Sequence, residues 1–176
     1  MQMAPRGVDA LRQAIERVYS DHRQGLYTLA LAITRCPGRA EDAVQEAFAR
    51  LWSRRTGPVG DLVPYVFAAV RNAAIDQVRR RPPEVSEQAV SIYNGLPEDP
   101  SAASVTAEQH RILEAAVLAL PQDQREAVVL KIYGGLTFQQ VAETVDAPLQ
   151  TVASRYRRAL EQIGRRVRPR LEANDA

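Results

Sequence analysis

The sequence predicts an all-α protein made of two small helical domains joined by a flexible acidic linker. Three observations support this fold class. The 176 residues are 45% hydrophobic but only 6% aromatic, and Ala, Leu, Arg, Gln and Glu dominate, as is typical of helices rather than sheets. Apolar residues recur at the three- and four-residue spacing of amphipathic helices in both halves of the chain. Between the halves lies a proline-containing stretch without a sustained apolar period.

Four helices are predicted in the first domain, residues 1–81. They are expected over about residues 8–23, 26–33, 39–54 and 64–81. Pro37 and the glycine after it end the second helix. Pro64 suits the first turn of the fourth helix. The two prolines that follow Arg81 end this helix. These helices together are expected to form a bundle.

Residues 82–106 are predicted to be a mostly unstructured acidic linker, because they contain four prolines and no sustained apolar period. They carry four acids and neither Lys nor Arg. Residues 107–176 form the second domain, where apolar periodicity again predicts four helices. Thr137 and Gln140 have the spacing of a capping box at the start of a short third helix. A brief turn follows, and Pro148 opens the fourth helix.

A short helix, a brief turn and a second helix with an exposed, Arg-rich face form the sequence outline of a DNA-binding helix-turn-helix. Residues 149–170 contain seven arginines and one acid. Gln and Arg can pair with base edges in the major groove, while Ser, Thr and further Arg suit phosphates. The candidate DNA-contacting residues are Gln150, Thr151, Ser154, Arg155, Arg157 and Arg158. A merely solvated face is the alternative, and the preceding short helix favours DNA binding.

Neither a metal site nor enzymatic catalysis is indicated, and no cofactor is expected. The single cysteine, Cys36, cannot form an internal disulfide, and no Cys/His cluster has metal-ligand spacing. His22 and His110 stand alone, and neither a nucleophile motif nor a phosphate-binding glycine loop is present. The N-terminus lacks the apolar core of a signal peptide, and no run approaches the ~20 apolar residues that span a bilayer. We therefore expect a cytoplasmic protein without membrane insertion.

Two separate sets of motifs, one in each predicted domain, point to a known protein family. In the second domain the similar segments are residues 120–128 (LPQDQREAV), 133–137 (YGGLT), 151–155 (TVASR) and 158–160 (RAL). In the first domain they are residues 40–48 (AEDAVQEAF) and 70–80 (VRNAAIDQVRR). Together the two sets resemble the extracytoplasmic-function (ECF) group of sigma-70-type sigma factors, in that family's order and on either side of a linker. The resemblance implies a factor that directs RNA polymerase to promoters.

The resemblance also implies roles for particular residues. The second domain would read the minus-35 promoter element, although Gln150 and Ala153 stand where many family members have a glycine and then a basic residue. The helix near residues 64–81, with the loop before it, would handle the opened minus-10 element. Its candidate residues are Arg71, Asn72, Asp76, Arg79 and Arg80. Helix capping or a local hydrogen bond is the alternative for Asn72 and Asp76.

An exposed set on the third predicted helix, Asp42, Gln45 and Glu46, would by resemblance contact core RNA polymerase; a solvated face is the alternative. An anti-sigma factor is a further partner that the family implies. Among nearby aromatic residues, Phe67 is expected in the core, whereas Tyr65 could pack there or stack on a base. The competing function is a helix-turn-helix regulator that acts without replacing a sigma subunit, but it leaves the first-domain motifs unexplained.

Overall fold

The computed structural model of the chain describes residues 6–80 and 107–172. All regular secondary structure in these two ranges is α-helical, which confirms the predicted fold class. The helices are α1 (Arg6–Thr34), α2 (Pro37–Trp52), α3 (Leu62–Arg80), α4 (Ala107–Leu118), α5 (Gln122–Ile132), α6 (Phe138–Val145) and α7 (Leu149–Glu172). The predicted linker, residues 82–106, lies outside the described residues.

The first helix is continuous over 29 residues, where the sequence predicted two helices. The predicted break lay beside Gly25, a residue that weakens a helix interior by about 1 kcal/mol relative to Ala. The apolar stripe nevertheless continues past this glycine, and Leu26 and Leu29 are fully buried. Burial of that stripe outweighs the low helix propensity of one residue. Helix α1 ends at Thr34, and Pro37 lies in the first turn of α2.

Helices α1, α2 and α3 pack against one another and form what we call the N-terminal unit. Phe67 lies at its centre with no exposed surface, as the sequence predicted. Helices α4 to α7 form the C-terminal unit, in which α7 packs against α4, α5 and α6. The ring of Tyr156 on α7 meets the ring of Phe138 on α6 edge to face, with centroids 5.3 Å apart. The long helix α7 is thereby fixed to the short helix before it.

The two units also pack against each other, α1 on α5 and α3 on α6. Val129 and Leu130 of α5 and Val141 of α6 belong to the same buried apolar cluster as the residues of α1 and α3. Burial of apolar surface therefore stabilises the contact between the units as well as each unit's own fold.

Candidate nucleic-acid interface

Helices α6 and α7 form a helix-turn-helix, and the capping box predicted at its start is present. The Thr137 hydroxyl oxygen accepts from the Gln140 backbone amide (3.1 Å), and the Gln140 side-chain oxygen accepts from the Thr137 amide (2.9 Å). The turn between the helices contains Asp146 in a left-handed conformation (φ 51°), one of the residue types that adopt it most readily. These local features set the short helix and the sharp change of direction before α7.

Helix α7 buries one side and exposes the side that the sequence predicted to face DNA. Val152 and Ala159 are buried beneath α7, on the side that faces the other helices. Among the candidate residues, Gln150, Arg157 and Arg158 are exposed, whereas Thr151, Ser154 and Arg155 are half-buried. Exposed amide and guanidinium groups near the start of the second helix are the arrangement by which helix-turn-helix proteins reach base edges and phosphates.

Arg155 has a carboxylate partner that sequence reasoning missed. Its Nε lies 3.1 Å from the Asp123 Oδ2 in the first turn of α5, and the two side chains are 30% and 48% exposed. The pair spans two helices far apart in sequence, so no short-range pattern could have revealed it. Arg155 therefore presents a partly neutralised cation, unlike the exposed Arg157 and Arg158.

The minus-10 candidates lie together on α3, but several of them are paired. Asn72 is exposed. Asp76 Oδ1 lies 3.0 Å from Arg79 Nη2, an ion pair one helical turn apart. The Arg80 guanidinium lies 3.5 Å from a Glu46 oxygen on α2. The local hydrogen-bond alternative therefore applies to Asp76, whereas the Asn72 amide lies on the open face of α3.

Arg71 points in a different direction, across the contact between the two units. Its Nε donates to the Glu126 Oε2 of α5 (2.6 Å). The Glu126 side chain is only 3% exposed and the Arg71 side chain 24% exposed. Gln122 supplies a second hydrogen bond to the other oxygen of this carboxylate (2.8 Å). Like Asp123, Glu126 is thus a partner of a candidate residue that the sequence did not indicate.

The predicted polymerase-binding residues differ in exposure. Asp42 and Gln45 are exposed on α2. Glu46 is half-buried, forms an i,i+4 ion pair with Arg50 and accepts from the Gln77 amide (3.3 Å), besides its contact with Arg80. Glu46 therefore ties α2 to α3 and is less available than Asp42 to an outside partner.

An exposed aromatic side chain adjoins the same face of α2. Trp52 is 40% exposed, and it lines a groove with Tyr19, Val44 and Phe48, beside Gln45. Tyr65, which the sequence left open, is half-buried, and the Arg54 guanidinium lies 5.6 Å from the centre of its ring.

Two chemical properties of the described helices are also relevant. Within residues 6–80 and 107–172, His, Cys, Asp and Glu form no group of three or more that could hold a metal ion. Over the same ranges, none of the helices combines the length and apolar character that crossing a membrane requires.

Two protein-family descriptions match this chain. The family description "Sigma-70 region 2" matches residues 18–82, and "Sigma-70, region 4" matches residues 110–163. These matches cover most of the N-terminal unit and most of the C-terminal unit, in this order. The fold and the two matched regions thus define a sigma-70 protein.

Relatives that match over most of this chain show to which family of sigma-70 proteins it belongs. The ECF RNA polymerase sigma factor SigK of Mycobacterium sp. (strain KMS) is 30% identical over 89% of this chain and 82% of its own length. SigK of Mycolicibacterium vanbaalenii is 28% identical over 86% of this chain and 80% of its own length. The chain belongs to the ECF family of RNA polymerase sigma factors. It therefore binds core RNA polymerase and promoter DNA and directs transcription initiation, so an independent helix-turn-helix regulator is not favoured.

A solved structure shares the fold. The sigma factor RpoE of Bartonella quintana, crystallised with the anti-sigma factor NepR, aligns with a TM-score of 0.64 and 18% identity. The alignment covers 89% of this chain and 98% of that one, so both units have counterparts in that fold.

Proposed function

We propose that residues 107–176 read the minus-35 element as duplex DNA through α7. The observation that carries this proposal is the exposed polar face of the second helix of the helix-turn-helix, with Gln150, Arg157 and Arg158 in solvent. Gln150 is suited to a base edge, and the two arginines to phosphates or guanine. Thr151 and Ser154 lie at the edge of this face, where hydroxyl groups suit phosphate oxygens. Arg155 joins them when its contact with Asp123 is exchanged for DNA.

Residues 1–81 are proposed to bind the opened minus-10 element through α3. A base extruded from the duplex is read by hydrogen bonds to its edge and by stacking, and cations hold the adjacent backbone. The exposed Asn72 amide suits an edge contact. Arg79, whose side chain is 77% exposed, and Arg80 suit the backbone. Arg71 adds a cation once it leaves Glu126, and Asp76 orients Arg79 through their ion pair.

Core polymerase is proposed to contact α2 at Asp42, Gln45 and Glu46. The exposed carboxylate of Asp42 suits a basic partner surface. The groove beside Gln45 adds an apolar component, because the partly exposed Trp52 is of the type that dominates interface energetics. Asp42 and Gln45 would make the direct polar contacts, and Glu46 would position α2 against α3.

The remaining proposals concern chemistry and regulation. Strand separation is driven by preferential binding to opened DNA, with no catalytic step in this chain. Because it works on RNA polymerase, the chain is expected in the cytoplasm. An anti-sigma factor is a proposed partner, supported by the complex in which the structurally similar RpoE was crystallised.

In vitro transcription with core polymerase on a randomised promoter library tests the proposal. We expect initiation from promoters that share two spaced elements. Arg158→Ala should relax selection or weaken binding at the upstream element, and Asn72→Ala at the downstream element. Arg12→Ala, which removes an exposed arginine of α1 outside both candidate sets, is the matched control. Equal transcription and selection by all three variants would refute the residue assignments while leaving the family membership intact.

A further inference from the structure

The first turns of α7 expose apolar surface beside the amide of Gln150. Leu149, the first residue of the helix, is 46% exposed, and Ala153, one turn later, is exposed as well. Residues four apart in a helix are neighbours on its surface, so these two side chains form one small apolar patch. Gln150 lies three residues before Ala153, so its amide borders the patch. A single exposed leucine is common on protein surfaces, but this one is part of a pair at the end of the helix that contacts base edges in helix-turn-helix proteins.

The Gln150 amide is available to an outside partner. Its side chain is exposed and forms no hydrogen bond within the part of the chain that the structure describes. Neighbouring amides of the helix-turn-helix are occupied, since Gln139 donates to Glu143 (3.0 Å) and Gln140 donates to Asp61 (2.7 Å). A carboxamide both donates and accepts, and these two groups match N7 and the N6 amino group of adenine in the major groove. Gln150 is therefore suited to an adenine.

The charges around the apolar patch make it unsuited to a phosphate. Leu149 lines a groove with Glu143 and Asp146, and the described residues of this groove include no cation. The exposed arginines of α7, Arg157 and Arg158, follow two turns later. At a rise of about 1.5 Å per residue, Arg157 lies about 12 Å along the helix from Leu149. The arginines are therefore placed for the phosphate backbone, whereas the patch is placed for an uncharged group.

The major groove of B-DNA presents one apolar group, the C5 methyl of thymine. Against an apolar patch, the N7 and O6 acceptors of guanine or the N4 amino group of cytosine would lose water without gaining a hydrogen bond, which is costly. A thymine methyl loses nothing there and gains from burial. Because thymine pairs with adenine, the patch and the neighbouring Gln150 amide are suited to the two strands of the same A·T-rich segment.

We propose that Leu149 and Ala153 bind thymine methyl groups and, together with Gln150, direct α7 to A·T pairs within the minus-35 element. The inference rests on the proposed binding of α7 to duplex DNA. Gln150 and Ala153 stand where many family members have a glycine and then a basic residue. This chain thus replaces a cationic contact by contacts that depend on the identity of the base.

Removal of the methyl group alone tests this proposal with the holoenzyme. The probe is a labelled promoter duplex recovered from the randomised library, in which each thymine of the upstream element is replaced in turn by deoxyuridine. Deoxyuridine keeps the base pair and lacks only the methyl group. Burial of one such group corresponds to about a fourfold change in affinity, so at least one replacement should weaken binding about fourfold in fluorescence anisotropy. An upstream element recovered without A·T pairs would already overturn the inference.

Substitutions in α7 identify the side chains that contact the methyl groups. The effect of deoxyuridine should disappear in Leu149→Ala, in Ala153→Gly, or in each variant at a different thymine. Leu160→Ala is the matched control for the leucine, because Leu160 is 43% exposed on the same side of α7, about 17 Å further along the helix. Ala115→Gly, at an exposed position of α4, controls for the lower helix propensity of glycine. Both controls should retain the full effect, and circular dichroism verifies that each variant is folded.

The outcomes separate this inference from the proposed function. Unchanged affinity after every deoxyuridine replacement overturns the inference, as does a loss that persists in both Leu149→Ala and Ala153→Gly. Arg158→Ala should weaken binding to all the duplexes alike, with or without the methyl groups. If this variant binds more weakly while no replacement has an effect, the methyl contact alone fails. If neither Arg158→Ala nor any replacement changes the affinity, α7 does not bind the duplex, and the proposed function of α7 fails together with the inference.

Discussion

The ion pair between Arg155 and Asp123 predicts that arginines of one helix contribute unequally to the salt dependence of promoter binding. Each phosphate neutralised by a cation makes the negative slope of log K against log salt concentration steeper by about 0.9. Arg158 is exposed and should contribute this full amount. Arg155 already lies 3.1 Å from a carboxylate, so its charge is compensated before DNA arrives. We therefore expect Arg158→Ala to reduce the slope by about 0.9 and Arg155→Ala to reduce it by clearly less.

The same comparison in the Asp123→Asn variant provides a second test of this prediction. Asp123→Asn removes the compensating charge, and Arg155→Ala should then reduce the slope by about 0.9 as well. In affinity, one phosphate contact corresponds to about a 3.5-fold loss between about 50 and 200 mM salt. The ion pair itself contributes at most about 1 kcal/mol, because Asp123 is nearly half exposed, so Asp123→Asn should leave the fold intact.

The assay is equilibrium binding of holoenzyme to a promoter duplex over a salt series, with Arg12→Ala as the control. Equal slopes for Arg155→Ala and Arg158→Ala in the wild-type background would refute the idea that Asp123 neutralises Arg155. Unchanged affinity and slope in both single variants would instead remove α7 as the minus-35 recognition helix.

Three further predictions concern stability and polymerase binding. Thr137→Ala should lower the free energy of unfolding by about 1 kcal/mol in a denaturant titration, because it removes the cap of α6, whereas Thr137→Ser should retain it. Phe67→Ala should lower it by about 3–5 kcal/mol, because this fully buried ring would leave a cavity; a near-zero change would contradict its central place in the core. Asp42→Arg with Gln45→Arg should abolish co-purification with core polymerase while the circular dichroism spectrum stays unchanged, and normal co-purification would show that this face has another role.

Features encoded by neighbouring residues could be predicted from the sequence. The capping box of α6 is an example, because its two hydrogen bonds join residues three apart. The all-α class and the exposed face of α7 also follow from helical periodicity. The predicted break in α1 was wrong, because the continuity of this helix depends on contacts with residues distant in the sequence. Gly25 weakens the helix locally, but residues on both sides of it are buried against distant parts of the chain.

The pairing of candidate site residues with side chains of other helices could not be predicted, since periodicity identifies the face on which a side chain lies but not its partner on another helix. Arg71 and Glu126 are 55 positions apart, and their contact depends on how the two units pack. The same holds for Arg155 with Asp123 and for Arg80 with Glu46. Long-range packing therefore decides which of the predicted cations have a carboxylate partner on another helix.

These pairings have a consequence for promoter selection. The chain must bind particular promoter sequences in the presence of a large excess of other DNA, and unpaired cations increase affinity for every phosphate backbone equally. A carboxylate beside a cation lowers that sequence-independent affinity, because the ion pair must be broken before DNA is bound. Arg71 and Arg155 are both restrained in this way, whereas Gln150 and Asn72, the amides suited to base edges, are exposed. A larger share of the binding free energy then comes from base contacts, and removing Asp123 should raise the affinity for promoter and for non-promoter DNA by a similar factor.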